Sequence, residues 1–428
     1  VIAYQRSGEP GLDNAEFFIR GVTSFSTSGK KDPLILIDGV EMTTNDLARL
    51  NVDDIASFSI MKDASAAALY GARGANGVIL IKTKEGKVDK LSIDMRAELS
   101  NSFNSQLVKL ADPITYMQLH NEGVRTRDAM VPLPYSPYKI RGTELGTDPL
   151  LYPSVDWYHY LLNDRAPTTR ANVNLTGGGQ SVQYYLSANY QNDKGILKES
   201  KENLFKNNIN INRLQIRSNV TIKFAPTTTG IVRAYGSFDD QTGPWANTTD
   251  YKGDPLTGGA AVFQWARNAS PVQFLPFYPP DEENASTKHI LFGRDQENKL
   301  INPLANVVSS FKESKQSMLL LQLEMEHKFT GGLKGVTLKG TYNVMRNAYY
   351  DLNRGYSPFY YALANTLDKS YRLLALNPND GTEYLSYTPG SRTINAANYG
   401  EVNLNYHKTF NEKHDFNAML VGTMRSES

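Results

Sequence analysis

The sequence predicts a compact α+β module followed by antiparallel strands of a transmembrane β-barrel. Three observations lead there. Four apolar, β-type runs crowd into the first ninety residues. Most of the remaining chain is made of stretches with a period of two, apolar on one face and polar on the other. The connections between those stretches alternate between short and long, as in barrels with short turns at one rim and long loops at the other.

The module comes first. Its runs are Phe17-Phe18-Ile19, Leu34 to Ile37, Ile55 to Ile60, and Val78 to Ile81. The second ends in Asp38-Gly39, a turn signal. Between the last two lies Asp63 to Gly71, where Asp63 suits an N-cap, the alanines favour helix and Gly71 suits a left-handed C-terminal position. Gly74, Asn76 and Gly77 then predict a tight turn into the final strand. A phosphate cradle would need the opposite order, with a strand, then glycines, then a helix N-terminus. The turn reading therefore stands.

After residue 87 the period of two takes over. Leu91, Ile93, Met95, Ala97 and Leu99 alternate with Ser92, Asp94, Arg96, Glu98 and Ser100. The same alternation returns at 170–175, 183–190, 319–328, 336–344 and 401–406, and runs around 214–224, 231–238 and 415–424 complete about nine strands. A phase slip between Ile211 and Leu214 predicts a bulge or a strand start. Short connections are expected at Gly177–Ser181, Ala225–Thr229, Thr330–Gly335 and Asn411–His414. Long ones, expected outside the cell, fall near 104–168, 192–205, 239–316 and 352–396. Charges such as Asp94, Arg96, Glu98, Glu324, Glu326 and Glu401 share the polar face, which is expected to line the lumen because a charge facing lipid costs several kcal/mol. About nine strands would leave unpaired edges in lipid, so further strands are expected beyond this sequence.

Composition narrows the function. Lys+Arg 45 against Asp+Glu 44 gives a net charge of +1 and no electrostatic reason to expect nucleic acid. With Cys 0, disulfides and thiolate metal sites are excluded. No apolar run is long enough for a transmembrane helix, and no signal peptide opens the sequence at Val1, which predicts a mature or truncated start. The six histidines, His120, His159, His289, His327, His407 and His414, show no metal spacing, and no nucleophile elbow is present. Asp281-Glu282-Glu283-Asn284 lacks the spaced ligands of a calcium loop and reads as a solvated acidic loop. No catalytic residue, metal or cofactor is expected, so the protein is not expected to be an enzyme.

Several stretches carry a specific resemblance. Asn14 to Gly21, Pro33 to Val40, Asn51 to Ile55 and Met61 to Ile79 resemble, in order and spacing, the plug of the SusC/RagA family of TonB-linked outer-membrane proteins. The resemblance implies a plug domain over 1–87 and the first part of an outer-membrane barrel of about 22 strands over 88–428. It also implies TonB-dependent import of a large nutrient, oligosaccharide or oligopeptide, gated by the plug. The partners it implies are TonB, a SusD/RagB-like surface lipoprotein lid, the oligosaccharide or peptide ligand and outer-membrane lipid. The alternative is an outer-membrane receptor or adhesin that binds ligand without moving it.

Two sets of site residues follow. In related importers, plug cations pair with barrel carboxylates; by match these are Arg20 and Lys62, with Arg73 added, and Glu98 and Glu324 as candidate partners. Lys62 stands where many relatives outside the family have arginine and lacks its bidentate fork. Solvated plug-surface charges are the competing reading. For substrate contact, Trp245, Trp265 and Tyr278 in the loop over 239–316 offer rings that stack on sugars or peptide side chains. Packing of the loop itself is the competing role.

Overall fold

The computed structural model describes residues 2–5, 7–12, 14–18, 32–61, 74, 76–105, 107–201, 203, 205–364, 371–410 and 414–428. The helix expected from Asp63 to Gly71 lies outside the described residues.

The N-terminal module holds two small sheets. Strands β1 (Ile2–Gln5) and β2 (Ala15–Phe18) form an antiparallel hairpin. Strands β3 (Leu34–Ile37) and β4 (Val40–Met42), helix α1 (Thr44–Arg49), β5 (Ile55–Met61) and β6 (Val78–Thr83) follow. The four strands lie in the order β4-β3-β6-β5, with β3 and β6 parallel and the outer pairs antiparallel. Leu34 to Ile37 is an unbroken apolar run because every residue of β3 is buried. Asp38 (φ 51) and Gly39 (φ 84) make the β3–β4 turn with both residues left-handed, the geometry that Asp-Gly favours. Gly77 (φ 93) donates its N–H to the Gly74 carbonyl at 3.0 Å, closing the expected turn before β6. A capping box between Thr43 and Asp46 starts α1.

The rest of the chain builds one large sheet and the structures between its strands. Strand β7 (Asp89–Ser102) leads through helices α2 (Pro113–Arg127), α3 (Pro137–Leu145) and α4 (Trp157–Leu161) to β8 (Ala166–Gly178), β9 (Val182–Lys194), β10 (Asn210–Ala225) and β11 (Thr228–Gly243). Then come α5 (Gly258–Asn268), β12 (Phe292–Gly293), α6 (Pro303–Val308), β13 (Ser310–Lys328) and β14 (Val336–Gly355). Strands β15 (Tyr360–Leu363), β16 (Leu373–Ala375), β17 (Ser386–Phe410) and β18 (His414–Glu427) finish the chain. Nine of these strands pair antiparallel in simple chain order from β7 to β18, with β7 and β18 at the edges. No helix among the described residues is long and apolar enough to cross a membrane.

The sheet is inside-out. One face presents exposed apolar side chains, among them Leu214, Ile216, Leu319, Leu321, Leu323, Val402 and Leu404. The other buries polar groups, including Asn172, Ser187, Asn189, Gln215, Arg217, Asn219, Arg233 and Gln322. Short turns and long connections alternate as expected, although β14 and β17 extend beyond the predicted limits of the last long connection. A bulge between Tyr350 and Leu352 lets that pairing continue. No bulge occurs near Ile211. Strand β10 starts at Asn210 in continuous register, and the apparent slip arises because Ile211, 3% exposed, turns to the buried face.

The long connections are not irregular. They assemble an apolar body around Trp157, Val262, Trp265, Phe274, Leu304 and Phe292, with the small sheet β12-β15-β16 on it.

Candidate functional site: the seam between module and sheet

The module sits on the polar face of the sheet, and charged pairs concentrate in the seam. Gln215, Arg217 and Asn219 alternate inward along β10 because Leu214 and Ile216 occupy the opposite face. Arg217, 5% exposed, is the centre. Its Nε lies 3.4 Å from Asp54 Oδ2, one Nη lies 3.9 Å from Asp38 Oδ2, and the guanidinium stands 4.5 Å over the Tyr235 ring. Stacking and pairing together compensate for removing this cation from water.

Local structure places both carboxylates. The short helical turn Val52–Asp54, capped by the Asn51 side chain on the Asp53 N–H at 2.8 Å, delivers Asp54 to the seam. There Asp54 also accepts from the Tyr185 hydroxyl at 2.8 Å and from Asn189 Nδ2 at 3.5 Å. Asp38 is held by its turn and by Thr83, whose N–H and hydroxyl donate to it at 2.9 and 2.7 Å. Asn219 Nδ2 then donates to Thr83 Oγ1 at 2.8 Å and to the Lys84 carbonyl at 2.7 Å. Gln322 Nε2 donates to the Asp38 carbonyl at 3.0 Å.

A second cluster lies beside the first. Arg233 bridges Glu85 of the N-terminal segment at 2.5 Å and Glu324 of β13 at 3.3 Å, and Lys339 reaches Glu324 at 2.9 Å. Toward the edges, Arg96 meets Asp53 at 3.2 Å and Arg425 meets Glu41 at 2.8 Å. One pair runs the other way: Arg49 at the end of α1 lies 3.5 Å from Asp239 and donates to Gln316 at 2.6 Å. An apolar patch completes the seam, where Ile35, Ile37, Val40, Met42 and Leu50 pack on Met318 and Leu320. The fit leaves a cavity of about 20 Å3 beside Arg217 and Tyr235 and a larger one of about 530 Å3 between Arg49–Asp53 and the sheet residues Arg96, Asn172 and Asn189.

The expected anchoring residues fall out as follows. Arg20, Lys62 and Arg73 lie outside the described residues. Glu324 pairs with Arg233 and Lys339, both in the sheet, and Glu98 pairs with Arg96. Most described ion pairs across the seam therefore join a sheet arginine to a module carboxylate. Arg217, Arg233, Asp38 and Asp54 are not among the expected anchors, because Asp38 reads as a turn residue and the resemblance places the anchoring cations in the module. The alternation of Arg213, Gln215, Arg217 and Asn219 against Leu214 and Ile216 was the available signal.

Of the aromatic candidates, Trp265 is 8% and Tyr278 4% exposed, and both belong to the apolar body. Burial pushes the Tyr278 hydroxyl up to about 12, so it stays neutral as a packing group. Trp245 is half-buried, and its carbonyl accepts from the Ser310 hydroxyl at 3.2 Å. The acidic loop is an organised clamp. Asp281, 6% exposed, accepts from the Leu373 N–H at 2.7 Å and from Asn284, while Glu283 pairs with Arg372. Burial works to raise the Asp281 carboxyl, but these hydrogen bonds outweigh it and hold the group below its ordinary value. No cluster of three or more His, Asp or Glu groups able to hold a metal lies among the described residues.

Comparison with known proteins decides the family. Residues 1–78 match the TonB-dependent Receptor Plug Domain. Over 271 residues the chain is 33% identical to TonB-dependent receptor P26 of Formosa agariphila, covering 57% of this chain and 26% of that protein. Over 219 residues it is 30% identical to TonB-dependent receptor SusC of Bacteroides thetaiotaomicron, covering 49% of this chain and 20% of that one. The RagAB peptide importer in its open-open state shares the fold, with a TM-score of 0.66 at 19% identity over 96% of this chain and 44% of that one. These likenesses support a fragment of a TonB-dependent receptor of the SusC/RagA type. The N-terminal module is thus the plug of such a receptor, and the nine strands belong to its barrel. The matched regions span about a quarter of the length of these curated relatives or less.

Proposed function

We propose that this receptor imports a large nutrient, an oligosaccharide or oligopeptide, across the outer membrane in a TonB-dependent step that moves the plug. One observation carries the reading: the plug rests on the polar face of an inside-out sheet largely through hydrogen bonds and ion pairs, with one apolar patch beside them. The apolar face suits lipid, because the outward side chains of barrel strands meet acyl chains. A plug held by polar groups exchanges those contacts for water at small net cost, so it is removable, whereas a dry interface of equal area would resist. The SusC and RagAB likenesses support a SusD/RagB-like lipoprotein lid and TonB as partners, and the RagAB name favours a peptide as the first ligand to try. Residues 1–87 form the plug and 88–428 the barrel portion, with the long connections facing outward. Within the long connections, Trp245 is the aromatic candidate best placed to reach a ligand.

The test measures binding and uptake of labelled oligopeptides and oligosaccharides in cells with and without TonB. Import predicts that uptake disappears while surface binding persists. Equal retention with and without TonB marks a receptor that binds without transport and contradicts the proposal.

A further inference from the structure

The tip of the β1–β2 hairpin reaches the apolar body. Residues Ser7 to Leu12 form a turn closed by the Leu12 N–H on the Glu9 carbonyl at 2.9 Å, with Gly11 left-handed at φ +84. A side chain at Gly11 would meet Ile211 Cδ1 at 2.6 Å, so the turn lies against the start of β10, at the rim with the long connections. From this turn Glu9 extends to the N-terminus of α5. Its Oε2 accepts from the Thr257 hydroxyl at 2.5 Å. Thr257 is the N-cap, and its own Oγ1 accepts from the Ala260 N–H at 3.1 Å.

Three features mark this as a built contact. A carboxylate is favoured at the positive end of a helix dipole. Gly259 leaves the room it needs, since a Cβ there would lie 2.6 Å from the Glu9 carboxyl carbon. The Thr257 hydroxyl serves both Glu9 and the first turn of α5, so the cap and the contact share one atom. Helix α5 in turn orients the body, because Ala261, Val262 and Ala266 are at most 1% exposed and Trp265 is 8% exposed within its core.

We propose that Glu9 is a strap coupling the N-terminal hairpin of the plug to the body formed by the long connections. A change in the body's position is passed to the hairpin through this contact, and loosening either side loosens the other. The contact itself does not depend on the import reading, which would add only that the coupled movement accompanies transport.

Hydrogen exchange on the full-length receptor in isolated outer membranes tests the strap, following residues 2–18 and 257–268 in the absence of ligand. Glu9→Ala is expected to raise exchange in both segments by roughly fivefold. Gly259→Ala, which takes the carboxylate's space without removing the charge, is expected to raise exchange at residues 2–18, where the higher helix propensity of alanine has no effect, and the double variant to add little there. Faster exchange in only one segment of the Glu9→Ala receptor, or in neither, overturns the proposal. Normal TonB-dependent uptake by a Glu9→Ala receptor with loosened segments would leave the strap standing and remove only its link to transport.

Discussion

The plug seam and the body of the long connections are both buried, but the seam joins buried polar and charged groups to one apolar patch, whereas the body is largely apolar. In the seam the least exposed groups include Asp54, Asn219 and Gln322 at 1% and Arg217 at 5%. In the body they are Val262, Phe274 and Ala305 at 0% and Val308 at 1%. Water competes for every contact of the first kind and for almost none of the second. For the proposed import step the difference assigns motion: the seam is where the plug would part, and the body would travel with the sheet.

Variants can break that contrast, beginning with the largest effect. Arg217→Ala strands Asp54 and Asp38 without their shared cation and should weaken plug seating by about 3–5 kcal/mol. Protease release of the plug reads the loss, and protection of the body's core around Phe274 and Leu304 should not change. The double variant Arg217→Met with Asp54→Asn should recover part of it, because no buried charge is left unpaired. Leu304→Ala, in a residue 4% exposed, should destabilise the body by about 3 kcal/mol and leave the exchange rates of the plug's four-stranded sheet, β3 to β6, unchanged.

Acid should affect the body through Asp281. Its carboxyl is held below the ordinary value by the Leu373 N–H and Asn284 despite burial, so the folded pKa is depressed. The stabilisation is therefore complete above the unfolded carboxylate value and is lost as pH falls through the folded one. Protease protection of residues 356–385 should drop over that range, and Asp281→Asn should flatten the profile. The smallest effect belongs to Glu98→Gln: Glu98 and Arg96 are well exposed, so stability should move by less than about 1 kcal/mol.

Much of this architecture was legible before the structure. Period-two alternation placed the nine strands, since each carries polar residues on the plug side of the sheet and apolar residues on the other. The Asp38-Gly39 and Gly74-to-Gly77 turns followed from backbone freedom. The seam was only half legible. That charges such as Glu324 face inward was readable, but which partner each takes depends on contacts hundreds of residues apart, as with Gln322 and Asp38. The body was not read at all, although Ala261, Val262, Trp265 and Ala266 carry a helical spacing that marks a buried face. Treating residues 239–316 as loop turned Trp265 and Tyr278 into ligand candidates when their rings fill a core.

The contrast between seam and body is tested most directly by chemical labelling in living cells, helped by the absence of cysteine from this chain. Ser237→Cys reports on the seam, where the residue is 4% exposed, and Ala305→Cys reports on the body, where it is 0% exposed. With TonB energised and ligand supplied, the account predicts that a membrane-impermeant thiol reagent labels the seam position and spares the body position. Labelling of the body position with the seam position silent would contradict it.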